Sequence, residues 1–407
     1  MKRTIKVGSD FSGVGAFNQA LTRLGINYQE VFACDMDKYA RQTFIHNYGE
    51  PEYYPMNVYD REIPSESLDI YMTSPPCQAF SMAGKRLGKE DERGILFFNS
   101  LEFIRVNNPR FFIFENVKGL LSHDKENKKN KIGRTFQEWI DYLGGKSVNG
   151  IATMMPIDGS VPYHLHYKVL NAKKHGVPQN RERVFLIGIR DDQDNTFTWP
   201  EEQELTKRLK DVLENEVDDK YFLSEKMLEY LENRSDNFNN GKINYRSEND
   251  YATAITKSSG SIDISDNIIK IGNTHPSGNG MNGNVFDEKG ISPTLSTNKG
   301  EGIKINSATS KGYEEATEGD SINFSVPNSQ TRRGRVGKGV AQTLDTGCNQ
   351  ATIDNYKIRR LTPRECFRLM DFPDTFTWPV SDSQAYKQAG NSIVVRVLEK
   401  IINNLPL

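Results

Sequence analysis

The chain is poor in cysteine, with four in 407 residues, at positions 34, 77, 348 and 366. They stand far apart, without a Cys-x-x-Cys pair or a Cys/His cluster, which excludes a zinc-ribbon site and a disulfide framework. Reduced thiols and a cytoplasmic setting follow as expectations. Long apolar runs are missing too: none reaches the roughly 18 residues of a membrane span. The opening MKRTIKVGSDFSG passes from charge straight into strand-like alternation, without the apolar core of a signal peptide. Nor is there a charge excess, since 52 Lys and Arg face 54 Asp and Glu for a net −2. The whole-chain charge therefore gives no support to a nucleic-acid partner, and charge has to be read locally. Finally, the third glycine of a dinucleotide fingerprint is absent, because Asn18 holds its place after Gly13-Val14-Gly15. This speaks against an NAD-linked oxidoreductase, which needs a pyrophosphate seat.

A chain this long exceeds one ordinary core, so two domains are expected. Up to about residue 190, strand and helix signals alternate. IKVGSDF (5–11), VFACDMD (31–37), SLDIYMTS (67–74), FFIFENV (111–117), HLHYKVLNA (164–172) and RVFLIGIR (183–190) read as strands. GAFNQALTRLG (15–25), KYARQTFIHNY (38–48) and FFNSLEFIRVNN (97–108) read as helices. This order predicts an α/β fold with a doubly wound sheet. Residues 200–235 are charged and read as helical, and residues 236–356 are rich in Asn, Gly, Ser and Thr with short β-like pieces. From about Gln384 a helical pattern returns, and Ile393, Val394, Val397, Leu398 and Ile401 form an apolar stripe that docks on the first domain. The expected division is a catalytic domain of residues 1–195 and 384–407, and a smaller loop-rich β domain with a hinge over 196–383. KGISPTLST (289–297) and KGVAQTLDT (338–346) form a weak internal repeat. It reads as two similar hairpins or as two recognition units.

Three features carry chemistry. The Gly-x-Gly loop after the first strand lets the backbone approach a ligand, and Asp35 at the end of the second strand can accept ribose hydroxyls. A ribose-bearing ligand without phosphates, such as S-adenosylmethionine, suits that pairing. Cys77 follows two prolines at the carboxyl end of the third strand, among the small or polar Gln78, Ser81 and Gly84. By itself it reads as packing or as a nucleophile, and a nucleophile would need its thiolate form stabilised. Glu115 ends an apolar strand, where burial raises a carboxyl pKa towards neutrality. In QNRER (179–183), Arg181 and Arg183 point to opposite faces if extended.

Taken together, these residues resemble the DNA (cytosine-5) methyltransferases. DFSGVGAF (10–17), SPPCQAFSMAG (74–84), FENV (114–117), QNRERV (179–184), RRLTPRECFRLMDFPD (359–374) and QAGNSIVVRVL (388–398) are similar to six family motifs in family order. The likeness covers residues 1–195 and 357–407. It implies a doubly wound mixed sheet of the S-adenosylmethionine-dependent, Rossmann-like type. It also implies methyl transfer from S-adenosylmethionine to carbon 5 of a flipped cytosine, with S-adenosylhomocysteine as product and no metal. In that scheme Cys77 attacks C6, Glu115 holds N3 and the exocyclic amine, Arg183 stabilises charge at O2 and Arg181 supports the site. The cofactor contacts carried over are Phe11, Ser12, Gly13, Val14, Gly15, Asp35, Met36, Asn57, Pro76, Leu96, Asn391, Ser392 and Ile393. Four positions depart from the family's usual residues: Asp10 for a leucine, Ala16 for a glycine, Met36 for an aromatic on the adenine, and Asn57 for an aspartate at its amino group.

The expected partner is double-stranded DNA, met by a monomer away from any membrane, with a cognate restriction endonuclease as a further candidate partner. Between 331 and 368 nine Lys or Arg face three acids, a local excess able to neutralise phosphates. The basic run KENKKNK (125–131) reads as a solvated loop tip or as a second phosphate contact. The expected DNA contacts are Gln78, Ser81, Arg93, Thr294, Leu295, Arg333, Arg335, Thr343 and Leu344. A long variable region favours DNA over the RNA substrate of the family's tRNA-specific branch. Intact Cys77, Glu115 and Arg183 speak against a catalytically dead DNA-binding protein.

Overall fold

The computed structural model describes residues 3–76, 92–125, 131–222, 270–273, 284–286, 303–327, 329, 331–354 and 357–407. The chain forms two compact units. The first takes residues up to Glu214 together with Gln342–Cys348 and Thr362–Leu407. The second takes Asn215–Ala341 and Asn349–Leu361. By contact, residues 196–214 and 362–383 thus pack with the first unit rather than with the loop-rich region into which composition alone groups them.

The first unit is built on one mixed sheet. Its strands are β1 (Ile5–Asp10), β2 (Tyr28–Cys34), β3 (Ile70–Thr73), β4 (Phe111–Val117), β5 (Ser147–Val148), β6 (Ile151–Ala152), β7 (Tyr163–Asn171) and, after the short β8 (Gln179–Asn180), β9 (Glu182–Arg190). The order across the sheet is β2-β1-β3-β4-β9-β7-β5-β6. The first four strands run parallel, and β9 is antiparallel to both β4 and β7. Strands buried on both faces need nearly continuous apolar runs, and Phe111–Phe114 are all buried, as are Val184–Ile187. Helices α1 (Ala16–Arg23), α2 (Lys38–Tyr48), α3 (Glu92–Asn107) and α4 (Arg134–Leu143) connect the strands. In α4 Phe136, Trp139, Ile140 and Leu143 share one buried face, and Trp139 stacks on Phe97 of α3 at 4.0 Å. The chain closes with α5 (Pro363–Leu369), α6 (Asp382–Asn391) and α7 (Val395–Asn403). A capping box at Thr362 and Glu365 starts α5. The apolar stripe of α7 buries Val395, Val397, Leu398, Ile401 and Ile402, and the helix packs on α1.

The sequence-based elements match closely, with two differences. Within 200–222 the chain makes only short 3-10 turns, Leu209–Val212 and Asp219–Tyr221, where a helix was expected. Leu209 and Val212 are buried there, but no apolar stripe continues to support a longer helix. The rest of that expected helix, 223–235, lies outside the described residues. Helices α4 and α5 and the short strands β5, β6 and β8 were not anticipated, although the apolar spacing of α4 signals it.

The second unit carries an antiparallel sheet of Val336–Gly337, Ser321–Asn323, Gln350–Asp354 and Lys357–Arg360. A hairpin pairs Ile303–Asn306 with Tyr313–Ala316. A small core gathers Ile305, Ala316, Ile322, Phe324, Ala351 and Ile353. The loop-rich β reading of this region is thus what the described residues form. No helix among the described residues is long and apolar enough to cross a membrane.

Candidate active site

Ligands of open α/β sheets bind beyond the carboxyl ends of the parallel strands. At that edge the first unit holds a cavity of about 760 Å³. Its walls are the loops after β1, β2 and β3, the end of β4, Arg181, Arg183 and the α6–α7 turn. Phe11, Ser12, Gly13, Val14, Asp35, Met36, Asn57, Pro76, Leu96, Asn391, Ser392 and Ile393 all line it, together with Glu115. Twelve of the thirteen residues carried over as cofactor contacts thus converge on one space.

Gly15 is the thirteenth, and it lies in the adjoining turn instead. It caps α1 with φ 84°, and a Cβ there would stand 2.3 Å from the Tyr48 ring. Its work is to let the chain turn into α1 beneath the loop. Phe11 also takes a left-handed φ of 57°, a costly conformation for a residue with a side chain and one that recurs at ligand sites.

Asp35 organises the floor. One carboxylate oxygen accepts from the Gly13 N–H and the other from the Asp37 N–H, both at 2.8 Å. Burial pushes this carboxyl up, while those two N–H donors act in the opposite direction. Each carboxylate oxygen can accept more than one hydrogen bond, so acceptor capacity remains for hydroxyls in the cavity. Nearby, Arg41 lies 3.8 Å over the Tyr54 ring and donates to the Pro55 carbonyl at 3.0 Å. Met36 is 79% exposed at the rim, so an apolar surface faces the mouth where an aromatic is usual.

Glu115 and Arg183 form the polar end. Val117 of β4 is the register partner of Arg183 on β9. Arg183 Nε lies 3.0 Å from Glu115 Oε1. Glu115 is 8% exposed. Burial raises its pKa, against the pull of Arg183 and then Arg181. The next residue, Asn116, donates through its side-chain amide to the Pro75 carbonyl at 3.2 Å. Asn116 thus fixes the base of the loop that leads to Cys77, a contact between strands that their separate sequences do not announce.

Arg181 lines the same cavity, but its guanidinium is engaged by backbone. It is 3% exposed, and its guanidinium donates to the carbonyls of Leu344 at 3.0 Å, Gly390 at 2.9 Å and Ser392 at 2.8 Å. Gly390 is required at this junction, since a Cβ there would fall 2.1 Å from the Asp345 carbonyl oxygen. Gln179 adds a bond to the Leu369 carbonyl at 2.7 Å. Arg181 thus ties Leu344, Gly390 and Ser392 together at the wall of the cavity that it also lines.

The expected DNA contacts separate. Leu344 is buried and offers its carbonyl to Arg181, while the Thr343 hydroxyl donates to the Asn180 carbonyl at 2.8 Å. Both contacts lie within the first unit. Arg335 is 1% exposed and donates to the carbonyls of Asn323, Ser325, Val326 and Pro327. It binds a turn of the second unit together through these carbonyls. Arg333 is exposed and donates to the Ala308 carbonyl at 2.7 Å. Cys77, Gln78, Ser81, Thr294 and Leu295, and the side chain of Arg93, lie outside the described residues. The other three cysteines are buried free thiols. Burial, and then Asp10, push Cys34 up to about 12, which makes it inert. Among the described residues no group of three or more His, Cys, Asp or Glu is placed to hold a metal ion.

A family model described as C-5 cytosine-specific DNA methylase matches residues 5–406. The orphan methyltransferase M.SPRI of Bacillus phage SPR is 33% identical over 98% of this chain and 97% of its own length. The type II methyltransferase M.HhaI of Haemophilus parahaemolyticus is 31% identical over 97% of this chain and 92% of its own length. Among solved structures, a putative DNA modification methyltransferase encoded within an E. coli prophage shares the fold, with a TM-score of 0.54 and 21% identity over 98% of each chain.

Proposed function

The chain belongs to the C-5 cytosine-specific DNA methylases and so transfers a methyl group to carbon 5 of cytosine in DNA; we propose how its own residues divide that work. The observation that carries the reading is the single cavity that joins the Asp35 floor to the Glu115–Arg183 pair. Its volume and mixed lining fit S-adenosylmethionine. Phe11 to Val14 and Asp35 would hold the amino-acid and ribose parts, Met36 and Asn57 the adenine, and Asn391 to Ile393 the remaining wall. When bound, that cofactor supplies a methyl group activated on a sulfonium.

Cytosine C5 is a weak nucleophile. The Cys77 thiolate adds to C6, the C5–C6 double bond opens, and its electrons become available at C5. Glu115 holds a proton at N3 as the adduct forms, which its raised pKa supports. Arg183 neutralises charge growing at O2 and keeps the Glu115 carboxyl oriented. Asn116, through Pro75, holds the strand end from which the Cys77 loop departs. Once C5 carries the methyl group, its proton passes to solvent, the C5–H electron pair re-forms the C5–C6 double bond, and the C6–S pair leaves with Cys77 as thiolate. The reacting atoms are out of reach inside a duplex, so the cytosine is flipped out at a cost of roughly a few kcal/mol. The second unit, with exposed Arg333, together with Gln78, Ser81, Arg93, Thr294 and Leu295, supplies the proposed DNA contacts. The modification acts on double-stranded DNA at a specific sequence, as an orphan activity or beside an endonuclease of the same specificity.

The test is transfer of tritium from methyl-labelled S-adenosylmethionine to duplex DNA, with RNA and a Cys77→Ala variant alongside. The expected result is label in DNA from the natural protein, none from Cys77→Ala, and DNA binding retained by that variant. Label in RNA alone, or full activity of Cys77→Ala, would overturn the assignment.

A further inference from the structure

Beneath the cavity lies a second acid–arginine pair that the reaction does not use. Asp10 ends β1 directly before Phe11, and its side chain and that of Arg61 are 0% and 2% exposed. Arg61 Nε lies 2.8 and 3.0 Å from the two carboxylate oxygens, and Nη2 lies 2.8 Å from Oδ2. The Tyr71 hydroxyl of β3 donates to the same Oδ2 at 2.5 Å. Arg61 Nη2 also donates to Asn99 of α3 at 2.9 Å. The guanidinium sits 4.6 Å from the Phe103 ring, on which Tyr71 stacks. One side chain thereby ties β1, β3 and α3 to the turn on which it stands.

That turn is part of the cavity wall. Met56, Asn57, Val58 and Tyr59 line the space, as Asp10 itself does. The turn is closed by the Asp60 N–H on the Asn57 carbonyl and the Tyr59 N–H on the Asn57 side chain. Its leading end is held to β2 by the Asp35 N–H on the Pro55 carbonyl at 3.3 Å. Its trailing end is held by Arg61. A buried ion pair adds little net stability over apolar residues of similar volume, because desolvation offsets the attraction. What it adds is direction, since a planar guanidinium on a carboxylate admits few geometries.

We propose that Arg61, acting through Asp10, is a positioning residue for the cofactor. It sets the turn at 56–60 against the loop after β1 and so fixes the adenine end of the cavity. This rests on the reading of that cavity as the S-adenosylmethionine seat.

The experiment uses the full chain and the variants Asp10→Leu/Arg61→Met and Arg61→Lys, titrated with S-adenosylhomocysteine and, separately, adenosine by calorimetry. The double variant is expected to keep the unfolding midpoint of the free protein yet to weaken both ligands about tenfold, the range of a misplaced wall contact. The KM for S-adenosylmethionine rises by the same factor while kcat at saturation stays, and Arg61→Lys falls in between. Wild-type affinity in the double variant overturns the proposal. So does a loss of affinity that only follows a fallen unfolding midpoint. If the natural protein binds neither ligand, the reading of the cavity itself fails, and the proposal with it.

Discussion

Two acid–arginine pairs sit towards the carboxyl ends of parallel strands, Asp10 on β1 and Glu115 on β4, and they are built differently. Glu115 meets Arg183 through a contact of 3.0 Å at the cavity wall, with the side chains 10% and 16% exposed. Asp10 meets Arg61 through a fork, with Tyr71 and Asn99 completing the network and almost no exposure. The first pair keeps capacity to bond something that enters the cavity. The second has its capacity committed to other parts of the protein. Saturation, not the charge pair as such, separates a group held ready for chemistry from one that holds a wall.

The sharpest way to break this contrast is to neutralise the two acids in turn. Glu115→Gln keeps the shape and removes the proton that N3 requires. We expect kcat to fall by roughly 10²- to 10⁴-fold, with the unfolding midpoint and S-adenosylhomocysteine affinity unchanged. If Glu115→Gln instead unfolds the protein and leaves kcat intact, the two pairs have exchanged roles.

The committed pair answers in stability. Arg61→Met alone leaves the Asp10 carboxylate buried without its cation. Breaking such a pair from one side costs about 3–5 kcal/mol, to be read from denaturant unfolding. Adding Asp10→Leu is expected to return most of that loss, because both partners are then apolar. A double variant as unstable as the single one would show that Tyr71 and Asn99 depend on the charges themselves.

Arg181 offers a smaller test, two residues from Arg183. Three carbonyls on two chain segments share its guanidinium. Lysine keeps the charge but cannot reach them as a planar fork. Arg181→Lys should cost about 1–3 kcal/mol of stability and lower kcat only modestly, whereas Arg183→Lys should lower kcat and spare stability. Equal effects at the two positions, measured by melting and by methyl transfer, would erase the distinction between them.

Much of this was legible in the sequence because it is local. The apolar run FFIFENV is β4, and KYARQTFIHNY is α2, capped by Asp37. The Gly13 loop and Asp35 meet because strand ends in this fold always do. What could not be read depends on partners far away in the chain. Arg61 stands between the second helix and the third strand, where the sequence assigns no element, and its partner is 51 positions earlier. Arg335 looks like a phosphate ligand by composition, but a turn of four carbonyls closes around it. Thr343-Leu344 reads as recognition and serves as the anchor of Arg181. Charge counts along a sequence record which cations exist, not which of them the backbone has already engaged.

The last prediction uses pH to separate both pairs from the rest of the core. His175 is 1% exposed at the end of the turn Ala172–His175. Burial, then Lys400, depress its pKa to about 4, with Glu202 opposing. A histidine whose folded pKa lies below its unfolded value contributes stability above pH ~6.5, lost as pH falls towards the folded value. Asp10 and Glu115 act in the opposite sense. Burial raises both pKa values, so the stability they contribute is present below the unfolded carboxyl value and lost as pH rises through the folded one. Glu30, pushed up to about 7 by burial, adds in that same sense. Between pH 7.5 and pH 5 the two senses therefore oppose one another, and single variants separate them. His175→Leu, which removes a loss on acidification, should raise the pH 5 denaturant midpoint relative to the pH 7.5 midpoint, whereas Glu30→Gln, which removes a gain on acidification, should lower it. If His175→Leu leaves the difference between the two midpoints unchanged, the proton enters elsewhere, and the acid–arginine pairs become the first places to look.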